Sequence, residues 1–194
     1  MKYKASGMTT LDNKRIDHLR DFPEMIPVLR DSFEPWLVRV FNREQHECRN
    51  YLSPNRRDFY KILLVTKGIG LFTNGLNTYY IDQPTILFIH PSDIISWKNL
   101  TPDEVGGHYV LFRKKLVEDN PMLKAVVDRY SLFSDQQRKV IRLSPDRNAN
   151  ATALFEKMKA EELAGQKYNE EAIQAYLQLL MVEASRDAVF PEPD

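Results

Sequence analysis

The 194-residue sequence contains one cysteine, Cys48, so an internal disulfide, a cysteine-based zinc site and a stapled secreted scaffold are all excluded. An excess of charge of either sign is also lacking. Lys and Arg number 27, as do Asp and Glu, for a formal net charge of zero. No basic run stands out as an electrostatic footprint, which disfavours direct nucleic-acid binding by this segment. Long apolar runs are missing from the N-terminus, where Asp12, Lys14, Arg15, Asp17, Arg20, Asp21 and Glu24 interrupt the first 29 positions. That excludes a signal peptide or membrane span there and sets the cytoplasm as the expected address. No glycine-rich phosphate cradle occurs, because Gly68-Ile69-Gly70 has neither a third glycine nor a following helix. The four histidines, His18, His46, His90 and His108, include no pair close in sequence, so no metal-binding motif is suggested.

With 43% hydrophobic residues, the chain can build a real core of one large domain or two small ones. Its hydrophobic period changes once, near Arg113. Before that point short runs rich in Val, Ile, Tyr and Phe predict strands at 36–41, 44–52, 59–67, 70–73, 78–81, 85–89, 94–97 and 107–112. Ser53-Pro54-Asn55, Gly68, Asn74-Gly75, Asp82-Gln83-Pro84, Pro91-Ser92-Asp93 and Gly106-Gly107 read as the turns between them. Such short, regular strands suggest a sandwich or barrel, and Asn74-Gly75 is the best hairpin signal.

After Arg113 the pattern is helical. Ser144-Pro145-Asp146 offers an N-cap oxygen, a proline at the first helical position and an acid in the first turn. Leu154, Phe155, Met158 and Leu163 then line one side, and Gly165 supplies the stop. Asn169 can cap a second helix whose apolar stripe comprises Ile173, Tyr176, Leu177, Leu180, Met181 and Ala184. A short connection makes the two helices an antiparallel pair. The second stripe is wider than a small barrel can easily bury, so part of it is expected to face another subunit and form a dimer interface.

Two clusters invite chemistry. Cys48 and His46 share a strand face, but no base or oxyanion element accompanies them, and Cys48 reads as a small buried thiol. Arg56-Arg57-Asp58-Phe59-Tyr60-Lys61 mixes cations with aromatics, which reads as solvated edge charge or as a pocket lining rather than a nucleic-acid platform.

The run from Arg57-Asp58-Phe59-Tyr60-Lys61-Ile62 through Lys67-Gly68-Ile69-Gly70 is followed by Tyr80-Ile81-Asp82, by Leu87-Phe88-Ile89-His90-Pro91 with Ser96-Trp97, and by Gly107-His108-Tyr109-Val110-Leu111-Phe112. In this order it resembles the regulatory domain of AraC-type transcription regulators. The helices from Leu143 through Glu161 to Leu180 resemble the helical region that follows the barrel in that family. The resemblance implies an α+β chain: an antiparallel cupin-type barrel (a double-stranded β-helix, jelly-roll-like) at 36–113 that binds a small effector, and a helical dimerisation region at 114–194. Residues 1–35 form an N-terminal arm. The family's DNA-binding helix-turn-helix pair has no counterpart within these residues, so DNA is a partner only through a separate C-terminal domain.

Metal-dependent cupins place histidines and a glutamate at positions that fall here near Asn55 and Arg57, and on Lys61 and Ile95. Cationic and aliphatic side chains do not bind a divalent metal, so no metal and no cofactor is expected. An effector-binding module that is not an enzyme is therefore the first reading, and a stand-alone, metal-free sugar isomerase or epimerase is the alternative. Residues of like parity share a strand face. Arg57, Phe59 and Lys61 thus point together, as do Ile95 and Trp97, and the family pattern places Tyr109 inward with Gly107 leaving room beside it. An aromatic floor of Trp97 and Tyr109 with a cationic rim of Arg57 and Lys61 suits a small sugar or carboxylate.

Overall fold

The protein is described here from a computed structural model, over residues 37–45, 51–186 and 188–193. The expected N-terminal arm, the strand start at Trp36, and the His46/Cys48 pair lie outside the described residues. Among the described residues nine strands form two antiparallel sheets. They are β1 (Val38–Asn42), β2 (Tyr51–Asn55), β3 (Phe59–Lys67), β4 (Gly70–Asn74), β5 (Asn77–Ile81), β6 (Thr85–Ile89), β7 (Ile95–Asn99), β8 (Gly106–Arg113) and β9 (Val140–Arg142). The first sheet has the order β1-β8-β3-β6-β9 and the second β2-β7-β4-β5.

The hairpin marked by Asn74-Gly75 is present as β4–β5, with Leu71 opposite Tyr80 and Asn74 opposite Asn77. Three details differ from the turn-and-strand reading. Ser53-Pro54-Asn55 is not a turn but the end of β2, an edge strand whose register shifts between Leu52 and Asn55. An edge position with a bulge is where a strand tolerates proline, because no ladder donor is needed from it. Arg43–Gln45 forms a short 3-10 turn instead of opening the next strand. Gly106-Gly107 begins β8 rather than preceding it.

The helices are α1 (Lys114–Glu118), α2 (Pro121–Tyr130), α3 (Pro145–Ala164) and α4 (Asn169–Ser185). Ser144 accepts from the Arg147 amide at the start of α3, Pro145 follows it, and Gly165 ends the helix in the left-handed region. The start of α4 departs from expectation, since Tyr168 occupies the cap position with a positive φ and Asn169 is already helical. Strand β9 also interrupts a stretch read as wholly helical. Its Val140 and Ile141 lie opposite Leu87 and Ile86 of β6, where β-branched side chains pack well on a pleated surface.

Alternation along the central strands divides the core in two. Even-numbered Ile62, Leu64, Ile86, Phe88, Val110 and Phe112 join the helices in one cluster. Odd-numbered Phe59, Leu63, Leu87, Ile89, Tyr109 and Leu111 join Phe72, Tyr79 and Ile95 of the second sheet in another. The first sheet is therefore buried on both faces and the second on one. Among the described residues no strand pairing joins the two sheets.

The α4 stripe does not face outward as expected. Ile173, Leu177, Leu180, Met181 and Ala184 are buried within the single chain, packed in the helix-facing cluster, and Tyr176 lies partly buried against it. The cover missed in the sequence is α2, whose Leu123 and Val127 belong to the same cluster. Asn120 caps α2 by accepting from the Leu123 amide and also hydrogen-bonds Gln174 of α4. These α4 side chains are core residues, and their substitution acts on folding first.

Candidate functional site

The space between the sheets is where apolar alternation is broken by cations. Arg57, just before β3, is buried. Burial pulls its guanidinium well below the ordinary arginine value, to about 10, and Tyr109 acts in the opposite direction. Two positions into β3, Lys61 places Nζ 4.4 Å from the centre of the Tyr109 ring. That is close enough for the ring's negative face to attract the ammonium. Phe59 lies between them in sequence and is buried in the same inter-sheet cluster.

Tyr109 is held from the other side by Phe41, its opposite neighbour in the β1–β8 ladder, with ring centres 4.7 Å apart and planes 20° apart. Lys159 of α3 stands 5.9 Å from the Phe41 ring and bonds Glu162 at 2.8 Å. Cation, ring, ring and cation thus form a column from the inter-sheet space to the helices. Glu162 in turn accepts from Arg39 and from the Val40 amide, which satisfies an otherwise open donor on edge strand β1.

Trp97 packs at the border of the cluster beside Phe72, ring centres 6.4 Å apart. Its indole N–H donates to Asn99 at 2.5 Å, and the Arg43 guanidinium lies 5.5 Å from the ring. Arg43 also donates to the Gly106 carbonyl at 2.9 Å. Gly70 makes this arrangement possible, because a Cβ there would stand 2.5 Å from the Trp97 ring.

All five residues singled out from the sequence therefore reach this region: Phe59 and Tyr109 within the inter-sheet cluster, Trp97 against it, and Arg57 and Lys61 through Tyr109. Gly107 is different. A Cβ there would lie 2.0 Å from the Leu64 carbonyl, and its φ is +117°. Its lack of a side chain serves the close approach of β8 to β3 and opens no room beside Tyr109. Arg43, Phe41, Phe72 and Tyr79 were not picked out beforehand. For Phe41 the signal was available in its place opposite Tyr109, but Arg43 sits in a turn where period-two reasoning stops.

Of the four positions compared with cupin metal ligands, Asn55 and Ile95 are brought together. Asn55 lies opposite Ile95 across β2–β7 and donates to its carbonyl at 3.4 Å. The four side chains offer one amide, one aliphatic group and two cations, which is not a donor set for a divalent ion. Among the described residues no group of three or more His, Cys, Asp or Glu is placed to hold a metal. His90 and His108 are both held below the ordinary histidine value, chiefly by burial. His108 projects to the helix side, stacked on Phe155 with ring centres 5.6 Å apart and paired with Glu156 at 3.2 Å.

The architecture is thus two apposed antiparallel sheets with aromatic side chains and cations in and around their shared cluster. Residues 40–181 match the AraC-like ligand binding domain, and the chain belongs to that family. No curated protein matches it. Among solved structures it is similar to ToxT from Vibrio cholerae O395 bound to (E)-4-(8-methylnaphthalen-1-yl)but-3-enoic acid, at 12% identity and a TM-score of 0.47, covering 80% of this chain and 60% of that one. A second similar structure is unsaturated fatty acid bound wild-type ToxT from Vibrio cholerae strain SCE256, at 12% identity and a TM-score of 0.43, covering 79% and 56%. The vicilin from Solanum melongena follows at 14% identity and a TM-score of 0.30, covering 59% and 38%. The chain thus spans about 60% of the length of the first of these. Among the described residues no helix is long and apolar enough to cross a membrane.

Proposed function

We propose that this chain is the sensing portion of an AraC-type transcription regulator, and that it binds a small carboxylate between the two sheets. The supporting observation is the Lys61 ammonium over the Tyr109 ring at 4.4 Å, a ring on which the buried Arg57 also acts electrostatically. A carboxylate would accept charged hydrogen bonds from both. Phe59, Tyr109 and Trp97 would contact its body, as the few polar groups of an otherwise apolar pocket fix orientation. The carboxylate is preferred over the polyol because two cationic side chains act on the Tyr109 ring against which its body would lie.

The same reading closes the sheets into a cupin-type barrel, assigns the chain no reaction of its own and no metal, and hands the signal to a DNA-binding domain on a further segment. It also includes a homodimer. Because the α4 stripe is internal, that contact is assigned to residues of the α3–α4 hairpin that stay exposed, Leu163, Tyr168 and Leu179.

A thermal-shift screen pairing each organic acid with its neutral amide or alcohol tests the ligand class, since a ligand that binds only the folded state raises its melting temperature. The acids should stabilise the protein and the neutral partners should not. Lys61→Met and Arg57→Met should each remove the effect. Stabilisation by the neutral analogues, or by acids in both variants, would refute the assignment.

A further inference from the structure

A second polar groove lies where the chain leaves α4, and it shares no residue with the inter-sheet region. Its volume is about 460 Å³, and Arg142, Leu143, Arg147, Asn150, Arg186 and Val189 are among the residues that line it. That size suits a small ligand. Arg142 comes from β9, Arg147 from the first turn of α3, and Arg186 from the residue that ends α4.

Two of the three guanidiniums are tethered. Glu183, itself buried, accepts from Arg147 at 2.5 Å, from Asn150 at 2.9 Å and from Arg186 at 3.1 Å. Asn150 first, and then Arg147, hold its carboxyl below the usual range despite burial, so Glu183 stays ionised and orients the cations. A guanidinium carries five N–H donors, so this contact fixes Arg186 in direction without exhausting it. Among the described residues, two acids stand against three arginines, Glu183 bonded to two of them and Asp146 in the lining, leaving one positive charge in excess.

The lining also has an apolar part, to which the tail contributes. Val189 accepts from the Arg142 amide at 2.9 Å and is 58% exposed, and Leu143 lines the groove with it.

We propose that this groove binds a small organic anion, with an oxyanion head against Arg142 and Arg186 and an apolar body against Leu143 and Val189. Such a ligand would touch β9, α3 and the tail together and fasten the tail to the sheet. The site is independent of any occupant between the sheets.

Phenyl phosphate and benzoate, titrated separately into the full 194-residue chain and followed by amide NMR, test the proposal and distinguish a phosphate from a carboxylate head. Saturable shifts should appear at the amides of Leu143, Arg147, Ala188 and Val189 with at least one probe. Arg142→Gln, which leaves the three bonds to Glu183 in place, should weaken that binding by roughly tenfold, the scale of one lost charged hydrogen bond. The Arg142→Gln/Arg186→Gln double variant should weaken it further. The proposal is overturned if neither probe gives saturable shifts there, if the shifts centre on Trp97 and Tyr109, or if both variants bind as the parent does.

Discussion

The two faces of the first sheet are made from the same strands and have opposite chemistry. Toward the helices, Ile62, Leu64, Val110 and Phe112 meet Leu154, Phe155, Leu177 and Leu180 with no cation among them. Toward the second sheet, the neighbouring positions carry Lys61 and the aromatic pair Tyr109 and Phe41. The comparison teaches that purely apolar packing and cation–aromatic contact are segregated by parity along each strand. A residue on one face can be changed without altering the chemistry of the other.

The largest effect is expected on the helix side. Leu177→Asp places a charge at a position with no solvent exposure, at a cost above about 4 kcal/mol. Circular dichroism should show loss of folded protein; a folded monomer would instead mean that Leu177 is an intersubunit contact. Next in size is the buried pair of Lys139 and Asp93, 2.5 Å apart. Asp93 also accepts from Asn74 and from the His90 amide, tying β9's approach to the β6–β7 loop. Lys139→Met strands that carboxylate, and urea denaturation should record a loss of about 3 to 5 kcal/mol.

The inter-sheet side should respond with the opposite sign. Arg57 is held down to about 10 by burial, which means its charged form is disfavoured in the folded state by an amount on the order of 3 kcal/mol. Arg57→Met should therefore stabilise the protein, by up to that much, while abolishing carboxylate binding. A destabilised variant would show that Arg57 is a structural group and would erase the contrast between the faces.

The smallest effect concerns pH. His108 has a folded-state value below its unfolded one, so the unfolded chain takes up the proton first. The stability contributed by neutral His108 is present above about pH 6.5 and is lost as pH falls through the depressed folded value. His90 has the same sign. Replacing His108 with Gln should flatten the decline in melting temperature below about pH 6.5, with the residue of the slope removed by His90→Gln; an unchanged slope in the double variant would contradict both assignments.

Much of this was legible in the sequence because it rests on local rules. Strand parity put Phe59 and Lys61 on one face, and Ser144-Pro145 with Gly165 bounded α3 closely. The misreadings come from contacts between distant segments. Proline and asparagine at 54 and 55 signal a turn locally, whereas the β7 edge draws them into a strand. The width of the α4 stripe signalled a second subunit because nothing in residues 121–130 announces that α2 will lie against it. Arg43 is adjacent to Trp97 only because it docks on the Gly106 carbonyl 63 positions away. The three-residue β9 is too short to carry a period, and its strand character comes from β6.

That short strand has a kinetic consequence. Ile86 of β6 pairs with Ile141 of β9, with β7, β8, α1 and α2 between them in sequence, and loop-closure entropy favours late closure of so distant a ladder. The fifth strand of the first sheet is thus supplied from between helices α2 and α3. Helices and sheets are interleaved by it and should unfold in one transition, so a fragment ending near Arg113 would expose the open edge of β6 and associate through it.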